Sequence, residues 1–173
     1  MNKQEFLAMS LPYGLKVYVK YNHKPEHSEL EKMIGIIDDR IVTDVLEEGD
    51  IPLFTNEYGL CLRPFSDLIK EIEHNGEKFI PALELIKLEE KYNNWKDIAP
   101  TIPYDIKIIN KPFGKVLKVS KVEHWVIYLS LNEIERAKYY IVSQLIKWKF
   151  DIANLIPKGE AIDVNTLDTN PYK

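Results

Sequence analysis

Asp105-Ile106-Lys107 is an acid-x-lysine triplet in a strand-like stretch. A carboxylate and an ammonium at that spacing can hold a divalent cation and steady the charge that develops on a phosphorane, the chemistry of metal-dependent nucleases. Spacing is all that marks Asp105 and Lys107 as catalytic candidates, because Glu89-Glu90-Lys91 repeats it in a helical stretch and the upstream acid Asp97 sits before two prolines. Lysines then recur through the segment at Lys107, Lys111, Lys115, Lys118 and Lys121. Lys111, Lys115, Lys118 and Lys121 read either as contacts to a nucleic-acid backbone or as solvent-facing residues that protect strand edges from stray pairing. A formal net charge of −4, from 27 acidic and 23 basic side chains, opposes a phosphate backbone and favours the second reading.

The remaining chemistry-bearing residues point to structure. His23 and His27 would align as metal ligands on a helix, but Pro25 between them argues for a loop and no glutamate follows His23, so no metal site is expected. His74 falls in a helix-ending turn, and His124 beside Trp125 reads as a sheet residue. The single cysteine, Cys61, excludes an intrachain disulfide and, flanked by Leu60 and Leu62, reads as a buried, inert thiol. The 7 glycines form no Gly-x-Ser-x-Gly elbow, no Gly-x-Gly-x-x-Gly turn and no Walker A loop, so no nucleotide or other cofactor is expected. The acid pairs Asp38-Asp39 and Glu47-Glu48 fall in turns, where carboxylates bond to backbone.

Periodicity supplies the elements around these residues. Asn2 and Glu5 have capping-box spacing for a short helix over 2–10 that ends before Pro12. Leu15, Val17 and Val19 alternate as in a strand, and the polar stretch from Asn22 to Glu29 reads as a loop. Leu30–Ile37 and Arg40–Leu46 predict an antiparallel hairpin through Asp38-Asp39, followed by short strands at Ile51–Thr55, with Pro52 marking an edge, and at Tyr58–Leu62. Ser66 is an N-cap for a helix over Asp67–Glu73 stopped by His74-Asn75-Gly76, and Pro81 opens a second helix to about Tyr92. Tyr104–Ile109 and Gly114–Leu129 are strand-like. Ser130 and Glu133 then match a capping box for a long core helix over Leu131–Phe150, with Ile134, Ala137, Ile141, Leu145 and Trp148 along one face. The tail has a turn at Pro157-Lys158-Gly159, a short strand at Ala161–Val164 and a polar end expected to fray.

These elements predict an α+β fold: antiparallel sheets, a short N-terminal helix, two mid-chain helices and one long C-terminal core helix. With 173 residues, 45% of them hydrophobic and 29% charged, the chain is expected to form one domain over 1–173. The prolines in 99–103 allow a division into two lobes, 1–98 and 104–173. The opening residues do not resemble a signal peptide and no stretch approaches a membrane span, so a cytoplasmic location in a bacterial host cell is expected.

Two segments carry a resemblance: Leu62-Arg63-Pro64-Phe65-Ser66-Asp67-Leu68 continuing to Asn75-Gly76-Glu77-Lys78-Phe79, and Phe150-Asp151-Ile152 through Gly159-Glu160-Ala161-Ile162-Asp163 to Asn165-Thr166-Leu167. They resemble small uncharacterised proteins of Bacteroidales phages and prophages. The resemblance covers roughly a fifth to a quarter of the chain, falls on caps and turns, and implies an accessory protein of mobile-element origin without assigning catalytic residues. The expected function is protein–protein binding without catalysis, with homo-oligomerisation left open. The alternatives are the nuclease at Asp105 and Lys107 and the lysine-based nucleic-acid binder.

Overall fold

The computed structural model describes residues 3–21, 24–37, 40–44, 58–93, 105–111, 114–121, 125–130 and 138–173. In chain order these form α1 (Lys3–Ser10), β1 (Lys16–Tyr21), β2 (Lys24–Ile37), β3 (Arg40–Thr43), β4 (Tyr58–Leu62), β5 (Ile72–His74), β6 (Glu77–Phe79), α2 (Pro81–Asn93), β7 (Asp105–Lys111), β8 (Gly114–Lys121), β9 (Trp125–Ser130), α3 (Tyr139–Lys147) and β10 (Ala161–Asp163). The fold is α+β. The chain divides into two compact units, Met1–Pro64 with Ile146–Pro171, and Phe65–Leu145 with Tyr172–Lys173.

The first unit is built on a five-stranded sheet in the order β10-β4-β1-β2-β3. Alternation decides its buried face: Leu15, Val17, Met33 and Leu60 are fully buried, whereas Leu30 and Ile34 on the opposite face of β2 are exposed. The expected hairpin forms, with Ile37 opposite Arg40, and the Asp38-Asp39 turn itself lies outside the described residues. Two expectations are corrected here. The polar stretch read as a loop from Asn22 to Glu29 is β strand from Lys24 onward, because β1 supplies backbone partners whatever the side chains. Pro25 is tolerated since the register jumps from Lys20↔Ser28 to Tyr21↔Lys24, leaving 25–27 without a partner on β1. The sheet is also not wholly antiparallel: β10 runs parallel to β4, with Ala161 opposite Leu60 and Asp163 opposite Leu62.

The long helix expected over Leu131–Phe150 is likewise corrected. Helix α3 is short, and 131–137 lie outside the described residues. It stops because Lys149 adopts a left-handed φ of 66° and the chain turns to pair Phe150 in parallel with Arg63. Arg63 N donates to Lys149 O at 2.7 Å and Asp151 N to Arg63 O at 2.9 Å. The apolar period that looked helical continues into this corner, where Trp148 and Phe150 are buried. Both Asp151 oxygens then accept backbone N–H groups, from Leu155 at 2.7 Å and Ile156 at 2.8 Å, which shapes the turn leading to β10.

The second unit holds a three-stranded antiparallel sheet, β7-β8-β9, and the hairpin β5-β6. That hairpin replaces the helix expected over Asp67–Glu73, of which only a 3-10 turn at Phe65–Ile69 forms. Asn75-Gly76 is a two-residue reversal, with φ of 53° and 80° and His74 opposite Glu77. The pair is a strand-reversing turn, and it holds Ile72 opposite Phe79. The tail does not fray as expected: Tyr172 is buried and its carbonyl accepts Asn75 N at 2.9 Å. In α2, Ala82, Leu85, Ile86 and Glu89 form the buried stripe at helical spacing. The expected Asn2 cap, the 47–50 turn, the 51–55 strand with Pro52 and the 99–103 segment lie outside the described residues.

Gly59 on β4 has no room for a side chain, since a Cβ there would overlap the Ile162 side chain. Gly59→Ala should destabilise the first unit by about 1–3 kcal/mol, the usual cost of overpacking. In an Ile162→Ala background most of that cost should disappear, as urea unfolding of the four chains will show.

Candidate functional site

Asp105 and Lys107 lie two residues apart on β7, so they occupy the same face. The register sets Asp105 opposite Ser120 and Lys107 opposite Lys118. A second cation therefore faces the pair across the strands where a metal site would need another carboxylate. Among the described residues no group of three or more His, Cys, Asp and Glu side chains is placed to hold a metal ion. The same register divides the lysines. Lys107, Lys111 and Lys118 fall on one face of the sheet, and Lys115 and Lys121 fall on the other with Leu117 and Val119. All five together do not make one basic strip.

The other sequence candidates lie apart from one another. Cys61 is fully buried, and that burial pushes its thiol up to about 12 against the opposing effects of the Tyr18 backbone and Lys16. His74 is buried in β5, with the Tyr172 ring centroid 5.9 Å away. His27 belongs to β2, while His23 and His124 lie outside the described residues.

Two clusters that the sequence reading passed over are better formed. In the second unit, Glu89 on α2 is 1% exposed, and its Oε2 accepts a 2.7 Å hydrogen bond from Nζ of Lys138, the residue before α3. Burial works against the Lys138 charge, but hydrogen bonds to Glu89 and Tyr140 and their Coulomb attraction outweigh it and hold the ammonium above the usual lysine range. Burial, together with Glu89, raises the Tyr140 phenol, so neither group is poised to exchange a proton near neutral pH. Tyr140 stacks on Tyr92 at 4.2 Å between centroids, with 14° between planes. Tyr139 and Tyr92 beside this stack are the most exposed of the large apolar side chains described. Glu89 was legible as an acid at the fourth position of an apolar stripe, a place where a helix buries what it carries.

In the first unit, Lys149 is buried at the corner that ends α3, and its Nζ donates to the Tyr13 carbonyl. A lysine between Trp148 and Phe150 was the available signal.

Against known proteins the chain stands alone: it matches no family model, no curated protein and no solved structure. Its own geometry is therefore the only guide to what it does.

The Glu89–Lys138 pair is asymmetric, with side chains 2% and 47% exposed. Lys138→Met strands a carboxylate that cannot reach water, whereas Glu89→Leu frees an ammonium that can. Lys138→Met should therefore cost about 3 kcal/mol and Glu89→Leu distinctly less, measured by urea unfolding.

Proposed function

We propose that the chain is an accessory protein of phage or prophage origin that works in the bacterial cytoplasm by binding another protein, without catalysis. The observation that carries this reading is the tyrosine surface of the second unit, where Tyr139 is 78% and Tyr92 59% exposed. Tyrosine offers a large, stiff, amphipathic contact with few torsions to freeze, and is over-represented among the residues that dominate interfaces. Here Tyr92 is already stacked on Tyr140, and the Lys138–Glu89 bond ties the start of α3 to α2, so part of the ordering cost of docking is met in advance. The resemblance in the 62–79 and 150–167 segments supports the mobile-element origin. The acidic balance of −4 supports a protein partner over a nucleic acid. No helix among the described residues is long and apolar enough to cross a membrane, which is compatible with this setting.

The test is a comparison of two baits. Immobilised parent chain and the Tyr92→Ala/Tyr139→Ala double variant are exposed to the same bacterial lysate and read by quantitative mass spectrometry. A partner held through these rings should be enriched by the parent and reduced roughly tenfold or more by the variant, matching the loss of one or two dominant interface residues. Identical enrichment by both baits would refute the reading.

A further inference from the structure

The turn that follows α1, Leu11–Tyr13 closed by Gly14, receives two lysines from elsewhere in the first unit. Lys149 is 3% exposed. Its Nζ donates to the Tyr13 carbonyl and lies 5.8 Å from the centroid of the Tyr13 ring. Lys32 on β2 lies along Gly14 so closely that a Cβ there would stand 2.8 Å from Lys32 Cε. Two ammonium groups thus converge on one turn, and the inner one is out of water. The groups that meet Lys149 come from three directions. Lys32 faces it from β2 and the Tyr13 carbonyl and ring from the turn, while Arg63, just beyond β4, bonds to it through the backbone. Asp151, two residues along, spends both oxygens on Leu155 N and Ile156 N. Glu31 is the neighbour of Lys32 on β2 and so occupies the opposite face.

We propose that this corner is a proton-controlled clasp, in which a charged Lys149 pushes against Lys32 and loosens α1 and its turn, and a neutral Lys149 lets them close. The physical reason is twofold. Burial penalises an ammonium more than an amine, and a like charge nearby adds repulsion, whereas the hydrogen bond to Tyr13 O survives deprotonation because a neutral amine still donates. Burial first and Lys32 second bring the Lys149 amine down to about 8 from the ordinary value of 10.5. Between those two values the unfolded chain binds more protons than the folded one, so stability rises with pH through that window. Below about 8 both forms are protonated and the gain is absent.

Urea unfolding of the parent, Lys149→Met and Lys32→Met between pH 7 and 9.5 tests this. Relative to Lys149→Met, the parent's unfolding constant should fall by roughly ten- to thirty-fold over that range, from linkage of the displaced proton. Lys32 is exposed, so Lys32→Met keeps the fold; it should move the parent's rise in stability to higher pH. Parallel pH profiles for the parent and Lys149→Met would overturn the proposal. Should Lys149→Met fail to fold, the decision passes to Lys32→Met, and a pH midpoint identical to the parent's would overturn it equally.

Discussion

Backbone pairing of Phe150 with Arg63 at the end of β4 is the constraint from which the distinctive parts of the first unit follow. An α-helix satisfies its own backbone groups, so leaving one after Lys147 requires other partners at once, and Arg63 supplies both a donor and an acceptor. The exit bends Lys149 into left-handed backbone, buries its side chain and sends its amine to the turn after α1. It also aims the chain along β4, so that after the Asp151-capped turn β10 arrives parallel to that strand. A buried cation, a strained residue and a parallel edge are three results of one hydrogen-bonded exit.

Much of this architecture was legible in the residues, and the failures have definite causes. Period two marked β1 and the β2–β3 hairpin, and Pro81 marked the first residue of α2. Those signals are local, and local partners satisfied them. The helix over 67–73 was misread because Leu68, Ile69 and Ile72 have helical spacing, yet Asn75-Gly76 is a stronger instruction for strand reversal than for helix termination. The length of α3 was misread because an apolar period cannot distinguish a helix from a buried corner that continues the same stripe. Polar 24–29 concealed a strand whose register is set by β1, a partner that side-chain pattern does not reveal.

Site residues were harder to read than elements because their distinction lies in what surrounds them. Lys149 is one of many lysines until Lys32 and Tyr13 are brought beside it from more than a hundred residues away in sequence. Glu89 acquires meaning only when Lys138 closes over it. The strand lysines show the converse: five recur through one segment of sequence, and the pleat sends them to opposite sides of a sheet. Residue type and spacing described a surface that three dimensions divide.

The discontinuous make-up of the first unit bears on its birth at the ribosome. Its sheet draws four strands from the opening 62 residues and the fifth from 161–163, so an emerging nascent chain presents β4 well before β10 has been synthesised. Translation at about 5–20 residues per second makes that interval several seconds, long compared with hairpin formation. During it the second unit's strands can pair locally and fold in place, while the unfinished sheet keeps an open edge along β4 that chaperones or a neighbouring nascent chain can reach. Late capture of that edge is what commits the first unit to its final form.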